Sequence, residues 1–161
     1  MIDRTEREGF FAPAPPEEAL RCEPRNSAHP NSGLATILML DMHNHILVVD
    51  DDINVSRRLA RLLRNAGYDV QEVNDSRRAL ETAQRFEPDC VILDYLMPTV
   101  HGGDVAWQLT SDPKLRSTRI IVCSGAPRSE IAINLPPARI PILEKPVDPG
   151  ALLQMLRENL N

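Results

Sequence analysis

The segment ILVVDDD, Ile46 to Asp52, runs four apolar residues straight into three carboxylates. A short run that is apolar at every position suits a parallel strand buried on both faces. Working outward from it, strand and helix signals alternate. Val55, Leu59, Leu62, Leu63 and Ala66 recur at helical spacing, and Gly67 follows as a stop signal. Tyr68–Val73 reads as a second strand. Ser76 is placed to cap a helix carrying Ala79, Leu80, Ala83 and Phe86, which must end before Pro88. Cys90–Leu93 is a third apolar strand, and Val105, Ala106 and Leu109 mark a third helix closed off before Pro113. Ile120–Cys123 is a fourth strand, and Arg128–Leu135 a short helix cut off by Pro136 and Pro137. Ile140–Leu143 reads as a fifth strand, at an edge because of Pro141. Pro149 opens a last helix, where its missing N–H costs nothing, with Leu152, Met155, Leu156 and Leu160 on the buried face. Five strand–helix pairs predict an α/β fold, a doubly wound five-stranded parallel sheet with helices on both sides.

Composition is consistent with such a domain. Of 161 residues, 42% are hydrophobic and 25% charged, enough for a core without disulfides or a structural metal. The net charge of −5 gives no electrostatic support for nucleic-acid binding. Cys22, Cys90 and Cys123 form no CxxC pair; Cys90 and Cys123, inside apolar runs, read as small core residues in a reducing compartment. The longest apolar stretch, Leu34 to Leu40, is far below the roughly 20 residues of a spanning helix, and no basic leader abuts it. A cytoplasmic protein with no membrane contact is expected. Residues 1–43 hold Pro13, Pro15, Pro16, Pro24 and Pro30 among Glu, Arg, Ser and Asn without periodicity, the signature of a disordered tail. Met39 and Met42 leave open a later start of translation. Residues 44–161 are the expected domain.

What terminates each strand carries the chemistry. The first ends in Asp50-Asp51-Asp52, the third in Asp94, the fourth in Ser124 and the fifth in Glu144-Lys145-Pro146. Ligands of open α/β sheets bind outside the carboxyl ends of the strands, where the strand order reverses. In the order 2-1-3-4-5, strands one and three meet at that reversal. Asp50, Asp51 and Asp94 then converge, flanked by Ser124 and Lys145. At ~5 Å and an effective dielectric near 20, each carboxylate pair costs about 3 kcal/mol, and a cation is the usual remedy. Oxygen ligands without His or Cys favour Mg²⁺. Lys145 supplies a mobile positive charge for a phosphate oxygen. Such a set is equipped for phosphoryl transfer, with Asp94 as the nucleophile that forms an acyl phosphate.

The segments ILVVDDD (46–52), VILDYLMP (91–98), IIVCSGA (120–126) and ILEKP (142–146) resemble the response regulator receiver domains of two-component signalling, chemotaxis receivers among them. The resemblance covers roughly residues 44–161. The intervals from Asp50 to Asp94, to Ser124 and to Lys145 are usual separations for that family. It implies a flavodoxin-like sheet. It implies that Asp51, Asp94 and the backbone carbonyl of Leu96 bind Mg²⁺, with Asp50 holding a metal-bound water. Asp94 is then the phosphoacceptor, Ser124 the hydroxyl that turns toward the phosphoryl group, and Lys145 its ion-pair partner. The bond before Pro146 is often cis in such domains. The implied donor is a phosphohistidine on a sensor histidine kinase or a histidine phosphotransfer protein.

Three positions depart from the family pattern. Ile142 stands where an aromatic usually moves with the switch hydroxyl, the fourth helix is cut short by Pro136-Pro137, and His101 occupies a common acidic position beside Gly102-Gly103. Other positions have plain structural readings: Asp52 as a helix cap, His43 and His45 as surface residues, and Trp107 as a partly exposed side chain. With nothing beyond the last helix, the expected function is a single-domain response regulator or phosphorelay receiver that signals to a downstream protein target. It is expected to promote only its own phosphorylation and dephosphorylation, without enzymatic turnover. The alternatives are a non-phosphorylated pseudo-receiver acting as a docking module, and a Mg²⁺-dependent aspartyl phosphohydrolase. The last normally has a second Asp as acid/base two residues after the nucleophile, where this chain has Leu96.

Overall fold

The computed structural model describes residues 44–160. The apolar runs become β1 (His45–Val49), β2 (Asp69–Val73), β3 (Cys90–Asp94), β4 (Arg119–Ser124) and β5 (Ile142–Glu144). They pair in parallel in the order β2-β1-β3-β4-β5. Among the described residues the helices are α1 (Ile53–Asn65), α2 (Ala79–Phe86), α3 (Gly102–Ser111), α4 (Arg128–Asn134) and α5 (Pro149–Leu160). The expected α/β topology is the observed one.

Alternation along the central strands sorts the core into two layers. Leu47 and Val49 of β1, Val91 and Leu93 of β3 and Val122 of β4 pack with Ala79, Ala83, Val105, Ala106, Leu109 and Ile131 of α2, α3 and α4. Ile46, Val48, Ile92 and Ile121 face the other way, against Leu59, Ala60 and Leu63 of α1 and Leu152 and Leu156 of α5. Each fully buried aliphatic side chain contributes about 1.5–3 kcal/mol relative to exposure, so burial on both faces fixes the central strands. Because the central strands need apolar residues on both sides, their polar residues collect at the ends.

Helix ends follow local chemistry. Asp52 caps α1, its carboxylate accepting from the amides of Asn54 and Val55 at 2.8 and 3.3 Å. Gly67 takes φ +94° just past α1, a conformation that favours glycine. The cap expected at Ser76 is not made: Asp75 accepts from the Arg77 amide at 3.1 Å and caps the 3-10 turn Ser76–Arg78 that leads into α2, which has no side-chain cap of its own. The Ser76 hydroxyl accepts from the amide of Val100 at 3.1 Å, tying the chain before α2 to the chain before α3. The fifth strand starts at Ile142 rather than Ile140. The Ile140 amide is already spent on the Ala138 carbonyl, and Pro141 joins the sheet only through its carbonyl, which accepts from Val122. β5 is an edge strand, as Pro141 implied.

Cys90 and Cys123 are buried, and Trp107 is 47% exposed. His45 is half-exposed, stacked on Phe86 with 5.0 Å between ring centres. No helix among the described residues is long and apolar enough to cross a membrane. The tail of residues 1–43, with Cys22, His43 and the Leu34–Leu40 run, lies outside the described residues.

Candidate functional site

Asp50 and Asp94 reach the same rim because β1 and β3 are neighbours in register, Val49 opposite Leu93. Asp94 is the last residue of β3 and Ser124 the last of β4, while Asp50 and Lys145 directly follow β1 and β5. Asp50, Asp94 and Ser124 are all nearly sequestered from solvent, and Asp51 beside them is exposed. One carboxylate oxygen from each of Asp50, Asp51 and Asp94 lies within 4.8 Å of the other two. The Lys145 ammonium bridges two of them, 2.9 Å from Asp50 Oδ2 and 3.0 Å from Asp94 Oδ1. The Lys145–Pro146 peptide bond is cis.

The remaining candidates sit around this cluster. The backbone amide of Lys145 donates to the Ser124 carbonyl at 2.9 Å, so β5 delivers the lysine past the end of β4. The Ser124 hydroxyl accepts from the Ala126 amide at 3.0 Å. Leu96 enters through its amide, which donates to Asp94 Oδ1 at 3.3 Å; its side chain is 53% exposed. Ile142 is buried in β5, among the residues packed between the sheet and α2–α4.

The electrostatics leave a deficit of positive charge. Burial disfavours the ionised form of Asp94 and raises its pKa; the hydrogen bond from Lys145 opposes this, and the charge of Asp50 adds to it. Burial also works against the Lys145 charge, but hydrogen bonds to Asp50 and Asp94 outweigh it and hold its pKa above the ordinary value. Asp94 thus rises chiefly because it is buried, and Lys145 because two carboxylates hold its proton. Three carboxylates against one ammonium leave two negative charges, and every side-chain donor is oxygen. That set fits a hard divalent cation such as Mg²⁺.

Two further positions shape the site through contacts that local sequence pattern does not assign to it. Asn74, just past β2, donates from its side-chain amide to the Asp50 carbonyl at 2.7 Å and the Ser56 hydroxyl at 2.8 Å, clamping the acidic loop onto α1. A polar residue ending a strand on the same rim was the available clue. Gly102 opens α3 against the backbone of Asp94 and Tyr95; a Cβ there would stand 2.6 Å from Tyr95 Cα. The Gly-Gly pair at a helix start hinted at such an approach.

The family model described as "Response regulator receiver domain" matches residues 46–157. The chain belongs to that family. Its receiver is 29% identical over 119 residues to the DNA-binding response regulator MtrA of Mycobacterium tuberculosis strain H37Rv, a match covering 74% of this chain and 51% of that protein. It is 46% identical over 66 residues to the response regulator MprA of Mycobacterium leprae, covering 41% of this chain and 29% of the other. The chain thus spans about half the length of the MtrA proteins it matches. Among solved structures, it superimposes on the chemotaxis response regulator CheY4 of Vibrio cholerae with a TM-score of 0.67 and 28% identity, covering 73% of this chain and 99% of that one. The signal receiver domain of an HD domain-containing protein from Pseudomonas fluorescens Pf-5 gives the same TM-score and identity over 73% and 94% of the two chains. Receiver domains belong to two-component signalling and accept phosphoryl groups from histidine kinases on an aspartate. The acidic cluster with its lysine is the pocket typical of such receivers.

Proposed function

We propose that Asp94 is the phosphoacceptor, taking a phosphoryl group from the phosphohistidine of a sensor kinase or phosphotransfer protein. The observation that carries this is the sharing of one lysine ammonium by buried Asp50 and Asp94 at the strand ends. Mg²⁺, held by Asp51, Asp94 and the Leu96 carbonyl with Asp50 on a bound water, would neutralise charge on the transferring phosphoryl group. An Asp94 carboxylate oxygen attacks phosphorus, the P–N bond to the donor imidazole breaks, and the imidazole nitrogen keeps the electron pair. Lys145 then exchanges its contact with the former carboxylate oxygen for one with a phosphoryl oxygen. The Ser124 hydroxyl leaves the Ala126 amide and donates to another. This Ser124 movement is the first step of the output.

A surface for the donor lies beside the lysine. Val55, Leu59 and Leu62 of α1 and Pro146, Val147 and Pro149 line a groove of about 590 Å³ that reaches Lys145. An apolar helix of a donor protein laid there brings its phosphohistidine to the rim. We infer a cytoplasmic receiver that passes its signal by protein–protein contact with a downstream target.

Incubation with Mg²⁺ and acetyl phosphate tests the reading. One hydroxylamine-labile phosphoryl group per chain, absent in Asp94→Asn, is the expected result. Multiple turnover on phosphate esters points to the phosphohydrolase instead. No adduct from acetyl phosphate or a phosphorylated kinase points to a pseudo-receiver. The exposed apolar side chain of Leu96 supplies no acid for turnover.

A further inference from the structure

Four large hydrophobic side chains are exposed among the described residues, and three of them meet at one groove. Leu96, Trp107 and Ile133, exposed by 53%, 47% and 83%, line a concavity of about 480 Å³ between the loop after β3, α3 and α4. Single exposed apolar residues are ordinary, but a cluster around a concave surface marks an interaction site. The groove lies on neither the α1 face beside Lys145 nor the β5 edge.

Its walls are tied to the phosphoacceptor. Tyr95 follows Asp94 directly, and its amide donates to the Cys123 carbonyl at 3.0 Å. Its hydroxyl, at the floor of the groove, accepts from the Asn134 side-chain amide at 3.0 Å. Gly103 lets α3 and α4 close together at this point, since a Cβ there would stand 2.9 Å from the Asn134 carbonyl. The last turn of α4 is therefore held by the residue next to Asp94. The loop entering α4 is held by Ser124, through Ala126. A hydroxyl that abandons Ala126 releases one tether of α4 while Tyr95 keeps the other. The helix then pivots about Asn134 and reshapes the groove.

Charge identifies the occupant. The carboxylate in the groove is Asp104, exposed and without an ion-pair partner among the described residues, and His101 is also on the lining. Trp107 stands one helical turn further along α3. A cation between a carboxylate and an indole face gains from both. We infer that the α3–α4 groove docks an amphipathic helix of a partner protein bearing an arginine or lysine, and that Tyr95 and Asn134 couple the groove to the state of Asp94. The coupling rests on Asp94 being the phosphoacceptor.

Trp107 is the single tryptophan of the chain, so its emission reports on the groove. The full-length protein is treated with Mg²⁺ and acetyl phosphate, and the adduct is counted by intact mass in the same samples. Adduct formation should shift Trp107 emission. Tyr95→Phe should form the same adduct with the emission change abolished. A displayed library of random helical peptides is then selected on treated and untreated protein. The selected peptides should carry Arg or Lys among apolar residues and bind Ile133→Ser about tenfold more weakly. On Asp104→Lys the selection should turn to acidic peptides. An adduct without an emission change, or with one retained in Tyr95→Phe, overturns the coupling. Peptides without basic residues, or indifferent to Ile133→Ser and Asp104→Lys, overturn the docking surface. Absence of the adduct overturns the phosphoacceptor reading and the coupling, and the selection on untreated protein then decides the docking surface alone.

Discussion

The Lys145 ammonium is held 2.9 Å from Asp50 Oδ2, and the same nitrogen lies 3.0 Å from Asp94 Oδ1. The Asp50 side chain is 3% exposed and that of Lys145 25%, so the pair is shielded but not dry. Lys145→Met removes the one charge that both carboxylates share and leaves them facing each other. Losing one partner of a buried pair costs about 3–5 kcal/mol, and the partial exposure of Lys145 reduces this to roughly 2–3 kcal/mol. Urea unfolding in EDTA should show that loss, and saturating Mg²⁺ should restore much of it by binding the native state.

Metal-free stability should fall as pH rises through the titration of Asp94. Its folded pKa is raised above the ordinary 3.8, first by burial. The folded chain therefore keeps that proton to higher pH than the unfolded chain does. The stabilisation is complete below pH 3.8 and is lost between 3.8 and the raised value. Asp94→Asn removes this titration. In EDTA the variant should gain on the parent across that window and stay more stable at neutral pH, as measured by urea midpoints at stepped pH.

Gly102→Ala should damage the site without touching a charged group. The new methyl group meets Tyr95 Cα at 2.6 Å and the Asp94 carbonyl, both backbone, so α3 must move. Overpacking of this kind costs about 1–3 kcal/mol. A lower thermal midpoint with weaker Mg²⁺ binding is the expected pair of effects. Gly125→Ala, where a Cβ meets nothing within 4 Å, is the control for a generic glycine effect.

What could be read from the sequence, and what could not, has a physical pattern. β1 and β3 were legible because a strand buried on both faces must be apolar throughout, so their charged ends stood out. α1 was legible from its period, with Asp52 and Gly67 as its punctuation. β5 was misplaced by two residues because an edge strand is specified by few contacts, and the pairing of Val122 with Ile142 was not visible in Ile140-Pro141. Asp75 and Ser76 are equally good caps in isolation, and only the Val100 amide decides what Ser76 does. Asn74, Gly102 and the Tyr95–Asn134 bond depend on contacts between distant segments that local pattern does not encode.

The buried thiols give a further check on the core. Burial pushes both Cys90 and Cys123 up to about 12, so almost no thiolate forms at neutral pH. In a Cys22→Ser background, a disulfide reagent at pH 8 should label neither thiol in the folded protein and both after denaturation. Rapid labelling of Cys123 without denaturant would show that β4 opens locally next to Ser124.

Borohydride trapping tests the central claim most directly, because it converts an aspartyl phosphate to homoserine at the residue that carried it. The protein is phosphorylated with acetyl phosphate and Mg²⁺, reduced, digested and mapped by mass. Homoserine at position 94, lost when Mg²⁺ is withheld, is the predicted result. Homoserine at 50 or 51 with residue 94 unchanged would contradict the account.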